Sequence, residues 1–421
     1  MGHLGGKIMK KEFFMKNRDN ILESIKDNSM LILFAGEAPQ KSADEAYSFT
    51  PNRNFYYMTG INREKMILMI TKVNKKVNQT LFIEKADPVL EKWVGKRMTV
   101  EEAKEASGIE NIQYLEDFEG AVARLMLNYK MKKLYLDLER SGWDSIPTVS
   151  NIFAKSIKER YPELSIKNIY QDICSLRLIK TEEEIAEIKK AIEITNEGIK
   201  SLMTNAKPGM MEYQIEADFD YVLKCSGVTD YAFKTIAASG INGTVLHYSQ
   251  NNSKTQDGDL ILFDLGAQWN YYNADISRTF PLNGKFTERQ KEIYNIVLKA
   301  MADTMAVIKP GVLYTKLNET TRASLAESLK KIGLIKEDAE LSKYYYHNVT
   351  HYLGLDTHDV GSRELELKPG MVLTVEPGLY IEEEKIGIRI ENDVVVTDNG
   401  CEDLAKDIIK SVEDIEAFMN R

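Results

Sequence analysis

The chain has 421 residues, 43% of them apolar and 28% charged, with 55 basic against 64 acidic side chains for a formal net charge of −9. Those proportions fit a globular protein of two to three domains and exclude disordered and collagen-like classes, while the longest apolar runs, Met30 to Ala35 and Met66 to Ile70, fall far short of the roughly 18 residues that span a bilayer. The acidic balance argues against a nucleic-acid partner, no signal-peptide core is evident, and the expected location is cytoplasmic, without a membrane association.

Residues 1–8 precede a second methionine, Met9, and read as a start-site extension, so His3 is given no role. From Lys10 onward, β-like runs (Met30 to Phe34, Met66 to Thr71, Thr80 to Glu84, Lys133 to Asp137) alternate with charged helical stretches such as Glu101 to Ala106 and Asp117 to Tyr129. That alternation predicts an α/β domain over 10–172. A second domain, 173–421, is announced by a capping box, Thr181 with Glu184, ahead of a helix whose apolar face carries Ile185, Ile188, Ile192 and Ile199. Cys174, Cys225 and Cys401 are odd in number and irregularly spaced, which suggests neither a disulfide framework nor a thiolate metal site, and they read as reduced fillers.

The second domain repeats itself. Met203 to Gly209 and Met305 to Gly311 each close a helical pattern with Lys-Pro-Gly, 102 residues apart. Downstream, Asp257 to Gly266 echoes Pro369 to Gly378 at an offset of 112, each copy an aliphatic strand ending in a carboxylate followed two residues later by glycine. The expectation is an α+β domain of two halves related by a pseudo-two-fold axis, which would bring Asp264 and Glu376 together.

Each of these strands is followed by a second acidic one, containing Asp275 in the first copy and Glu391 in the second, so a hairpin is expected to pair each couple across a sheet. One carboxylate in a strand is ordinarily a solvated face. Four at matching places in the least polar strands are costly to bury without a cation, and a divalent metal is the economical partner. Apart from His3, every histidine lies in this domain: His247, His347, His351 and His358, the last three just ahead of the Glu376 strand. A lone buried histidine is commonly a hydrogen-bonded core residue, but an imidazole among carboxylates is a competent transition-metal ligand.

The ordered set Asp264, Asp275, His351, Glu376 and Glu391, with Leu246-His247-Tyr248 ahead and Gly354 to Asp359 between, resembles the pita-bread metallopeptidases, in the branch holding Xaa-Pro aminopeptidases and prolidases. Arg53 to Gly60 is similar to part of the creatinase-type N-terminal domain carried by that branch, and methionine aminopeptidases, which lack it, fall behind. The resemblance implies a dinuclear aminopeptidase that removes an N-terminal residue preceding proline. Two divalent ions are implied, manganese first, with cobalt, zinc or iron as alternatives, held by Asp264, Asp275, His351, Glu376 and Glu391, with Asp275 and Glu391 bridging.

It further implies that Glu376 relays a proton, that His247 and His358 stabilise the oxyanion and contact substrate, that His347 helps form the pocket on the proline side, and that Arg389 holds a ligand carboxylate; Arg363, in the short loop after His358, is the candidate substrate-binding cation for a free carboxylate on the proline. Arg389 could instead be an exposed strand arginine. Phe233 stands where that branch carries a tyrosine, with Tyr231 two residues away on an expected strand. Trp93 resembles a tryptophan that reaches toward a neighbouring subunit, implying a homodimer or homotetramer, although it could equally anchor its own domain. The alternative activities are prolidase, restricted to Xaa-Pro dipeptides, and a peptide-binding module of the same fold without catalysis; retention of the five ligand positions disfavours the latter.

Overall fold

The computed structural model describes residues 9–420, so the expectations for residues 1–8, His3 included, lie outside the described residues. The chain divides into two compact units with the break between Arg177 and Leu178.

The first unit is built on a six-stranded mixed sheet in the spatial order Asn111–Tyr114, Lys76–Ile83, Ile67–Val73, Ser29–Phe34, Lys133–Leu136, Ser165–Asn168. Its inner strand Ser29–Phe34 pairs antiparallel with one neighbour and parallel with the other. Met30, Leu31, Ile32 and Leu33 are all 0% exposed, so this strand is covered on both faces, which is why it reads as an unbroken apolar run. The expected helices form at Val100–Ser107, capped by Thr99 and Glu102, and at Phe118–Tyr129. The segment Arg53–Thr59 is a short helix, started by the Asn52 side chain accepting from the Phe55 amide and ended at Gly60 with φ +70. Six of its seven residues are buried, so it carries no polar face and no helical period.

In the second unit Thr181 and Glu184 cap the helix Glu182–Asn205, and Ile185, Ile188, Ile192 and Ile199 are buried along it. It packs against the helix Glu212–Cys225. The strands Ile236–Ser239 and Ile276–Pro281 then flank Leu260–Leu265 in an antiparallel sheet. The second half repeats the plan with helices Glu288–Val307 and Tyr314–Lys331 and the strands Val372–Val375, Asn392–Val396 and Cys401–Asp403.

The repeat extends to individual hydrogen bonds. The amide of Gly209 donates to the Thr255 carbonyl at 3.1 Å and that of Gly311 to Leu367 at 2.9 Å; Glu212 donates to Ser253 and Tyr314 to Leu365, both at 3.0 Å. Donors are 102 residues apart and acceptors 112, the offsets seen in the sequence.

Asp264 lies opposite Ser277, whereas Asp275 falls just before its strand; likewise Val375 lies opposite Asn392, so Glu376 and Glu391 flank a strand pair. The first acidic couple is thus not directly paired, whereas the register of the second, carried one step beyond Val375 and Asn392, sets Glu376 opposite Glu391, as a simple hairpin would have it. Each sits around a strand end, where the chain leaves the sheet and side chains from both halves converge. The glycine two residues after each first carboxylate allows this exit. A Cβ on Gly266 would overlap the Ala274 carbonyl, and one on Gly378 would overlap the Tyr380 hydroxyl.

Of the cysteines, all free, Cys174 is buried as a filler should be, but Cys225 is exposed at its helix end.

Because the Ala274 carbonyl is backbone and directly precedes Asp275, it cannot step aside cheaply. Gly266→Ala is expected to destabilise the protein by roughly 1–3 kcal/mol or more, read as a lower denaturation midpoint. An unchanged midpoint would show that this close approach is not required.

Candidate metal centre

All ten site residues expected from the sequence, His247, Asp264, Asp275, His347, His351, His358, Arg363, Glu376, Arg389 and Glu391, line one cavity of about 930 Å³. Within it, one ligand-type atom each from Asp275, His351 and Glu391 lie within 4.8 Å of one another. His351 Nε2 is 3.2 Å from Asp275 Oδ2 and 3.8 Å from Glu376 Oε1. Its Nδ1 lies 3.0 Å from the Tyr352 carbonyl, which requires the ring proton there and leaves the Nε2 lone pair facing the carboxylates. That is the tautomer a metal needs.

Burial raises the carboxyls of Asp275 and Glu376 well above the usual range, and in both cases the nearby Glu391 adds repulsion. Glu391 itself is pushed up to about 7 by burial, then by Asp264. Asp264 Oδ1, Asp275 Oδ1 and Glu391 Oε1 are buried with no hydrogen-bond partner among the described residues. Buried oxygens without partners are costly unless a cation meets them.

Arg389 meets one carboxylate directly. Its Nη2 donates to Asp264 Oδ2 at 2.6 Å, its Nη1 to the Tyr380 hydroxyl at 3.0 Å and its Nε to Ser277 Oγ at 2.8 Å, while Ser277 in turn donates to Glu391 Oε2 at 2.7 Å. At 3% exposure it is not a surface strand arginine. A single guanidinium leaves four carboxylates under-neutralised, and the mixed oxygen and imidazole donor set fits divalent cations.

The other histidines stand around this centre. The ring of His358 meets that of His351 edge-on at 4.4 Å between centroids, and desolvation followed by His351 holds its pKa down. His347 places Nδ1 2.8 Å from the Asn348 carbonyl and Nε2 2.9 Å from the Tyr380 hydroxyl, and burial, then Arg389, lower its pKa to about 4. Both its nitrogens are engaged, so it is a neutral wall residue. Arg363 is exposed at the cavity rim, where the Asn348 amide oxygen, suitably turned, accepts from both its terminal nitrogens at 3.2 and 3.3 Å.

Phe233 lines the cavity, but Tyr231 does not take up a tyrosine's place there. It belongs to an isolated bridge with Ala267, and burial followed by the negative charge of Asp220 pushes its phenol up to about 12.

Sequence reasoning missed Ser277, Tyr380 and Asp393. Asp393 Oδ2 accepts from the Asp275 amide at 3.1 Å, and strand alternation from Glu391 could have suggested a shared face. Tyr380 reaches Arg389 across the short hairpin that sets Gly378 opposite Arg389, a register that composition does not reveal.

Residues 186–398 match the model of metallopeptidase family M24, and residues 14–135 that of the aminopeptidase P, N-terminal domain. The chain is 33% identical to the Xaa-Pro aminopeptidase of Escherichia coli K12, covering 97% of this chain and 98% of that one. A Xaa-Pro dipeptidase of Rattus norvegicus is 30% identical over 96% of this chain and 93% of its own. Among solved structures, one from Bacillus anthracis superposes with a TM-score of 0.97 at 55% identity, covering 98% of this chain and 99% of that one. The Escherichia coli aminopeptidase P with the inhibitor Pro-Leu superposes with a TM-score of 0.90 at 32% identity, over 98% and 99%. With its carboxylate-rich centre on this two-unit frame, the chain belongs to metallopeptidase family M24, with an aminopeptidase P N-terminal domain.

Proposed function

We propose that the chain is a dinuclear, metal-dependent Xaa-Pro aminopeptidase, releasing the N-terminal residue from peptides with proline second. The observation that carries it is the convergence of Asp264, Asp275, His351, Glu376 and Glu391 in one cavity with partnerless buried oxygens, on a chain that matches Xaa-Pro aminopeptidases along nearly its whole length. These five residues would hold two divalent ions, with ligand atoms of Asp275, His351 and Glu391 grouped within 4.8 Å. The oxygen-rich set with one imidazole favours manganese, with cobalt, zinc and iron as competitors. When bound, such ions supply Lewis acidity that activates a water near neutral pH.

The chain's own groups do the rest. Glu376, whose carboxyl is raised well above its usual range by burial, is suited to take a proton and return it. That return matters for proline, whose imide nitrogen has no hydrogen and must be protonated to leave as an amine. His358 and His247 face the cavity, where they can stabilise the oxyanion on the scissile carbonyl. His347 and Arg363 flank the proline side, and Arg389 holds Asp264 in place.

Among the described residues no helix is long and apolar enough to cross a membrane. Trp93 stands 84% exposed, which favours contact with a second copy in a homodimer or homotetramer over an anchor within its own unit. The second reading is prolidase, favoured by the presence of Arg363 as a cation for a free proline carboxylate. Against it, Arg363 is exposed at the rim, and the acidic Glu364 stands exposed beside it, a poor setting for enclosing a free carboxylate.

Chelation should abolish activity and manganese restore it; full activity of metal-free protein would refute the metal assignment. Glu391, raised to about 7, keeps its proton in the folded metal-free state at pH values where the unfolded chain has lost it. Metal-free protein therefore loses stability as pH rises from the ordinary carboxylate range, about 4.3, through about 7. Metal must displace that proton, so the gain in Tm on adding manganese should grow between about pH 5 and pH 8. A gain that shrinks with pH would contradict this charge balance.

Tripeptides Xaa-Pro-Xaa and their C-terminal amides should be cleaved at least as well as Xaa-Pro, with Arg363→Ala harming the dipeptide more. Hydrolysis of the dipeptide alone, with the amide inert, would replace this reading with prolidase on the same chemistry.

A further inference from the structure

Glu212 opens the helix Glu212–Cys225 and is 0% exposed, yet takes no part in the metal centre. Its carboxylate is saturated by five donors. Oε1 accepts from the Ser239 amide at 2.8 Å, the Ser239 hydroxyl at 2.7 Å and Asn242 Nδ2 at 3.0 Å. Oε2 accepts from the Tyr248 hydroxyl at 2.8 Å and the Ser253 amide at 2.9 Å. Every donor belongs to the stretch 239–253, which contains only a 3-10 turn, Gly240–Thr244, and no strand ladder beyond Ser239. His247 lies at the middle of that stretch, next to Tyr248.

A connection without a ladder takes its shape from whatever its polar groups meet. We propose that Glu212 is the positioning residue for His247: one buried carboxylate gathers the two ends and the middle of the His247 loop and fixes where the imidazole stands in the cavity. Carboxylate chemistry is required because two of the donors are backbone amides, which cannot reverse. A glutamine turned to satisfy one oxygen's donors sets its NH2 against the Ser253 amide or the Ser239 amide.

The other half supports this assignment independently. Tyr314, 102 residues on, opens the equivalent helix, and its hydroxyl donates to the Thr350 carbonyl at 2.6 Å, immediately before His351. In both halves, then, the first residue of the second helix reaches a loop that carries a histidine of the cavity.

The inference rests on the reading of His247 as a group acting on the scissile carbonyl, and the test separates the two. Full-length, manganese-loaded Glu212→Gln should keep its metal content while the amides of 239–253, Ser239 and Ser253 above all, lose protection from hydrogen exchange and other regions keep theirs. Its kcat on Xaa-Pro-Xaa should fall about 10–100-fold, the scale of a residue that orients a functional one, with KM little changed. In a His247→Ala background the same change should cause no further loss of kcat, because the residue it positions is gone.

Should Glu212→Gln fail to fold, Tyr248→Phe removes one of the five bonds and is expected to show the same pattern in smaller measure. Unchanged exchange in 239–253, or kcat losses that multiply with His247→Ala, would overturn the proposal. Absence of Xaa-Pro cleavage by the parent protein would instead overturn the functional reading, and exchange would still decide whether Glu212 holds the loop.

Discussion

Mutual repulsion among Asp264, Asp275, Glu376 and Glu391 is the constraint on which the catalytic unit turns. Gathered and buried, Asp275, Glu376 and Glu391 hold protons more tightly than they would in water, or need cations. Arg389 relieves one of them, and Ser277 passes a hydrogen bond between Arg389 and Glu391. The remaining deficit is what makes the cavity a site for divalent metals.

The frame supplies the crowding cheaply because it makes the same structure twice. Helix, Lys-Pro-Gly corner, helix and acidic strand recur, and the corresponding backbone hydrogen bonds recur with them. Facing copies bring matching strand ends together, so two pairs of carboxylates meet without any long excursion of chain. Glycines just beyond those ends let the backbone leave the sheet at the closest point. The copies also differ: the second half places His351 among the carboxylates, whereas the first brings His247 to the cavity from a loop.

Loops bearing functional groups need a source of rigidity outside themselves. Tyr352 fixes the His351 tautomer through a carbonyl, Tyr380 engages both His347 and Arg389, and Glu212 gathers the stretch around His247. These holders are buried, polar and satisfied, so they define one geometry rather than several. Their effect on function is indirect, which is why residue type alone does not betray them.

The internal repeat, the capped helix at Thr181, the strand-end carboxylates and the histidine cluster were legible because each leaves a periodic or chemical signature along the chain. The short helix Arg53–Thr59 was legible only as a resemblance, since six of its seven residues are buried and it shows no polar face. Tertiary structure decided the rest. It set Asp264 opposite Ser277 rather than Asp275, turned Tyr231 toward Asp220, buried Arg389 against Asp264, and enlisted Ser277, Tyr380, Asp393 and Glu212 as supports. Sequence determines which side chains can bind a cation, because that is a property of donor atoms. Which of them share a cavity, and which others hold them there, depends on strand register and on contacts more than a hundred residues apart, and only the folded chain brings those into being.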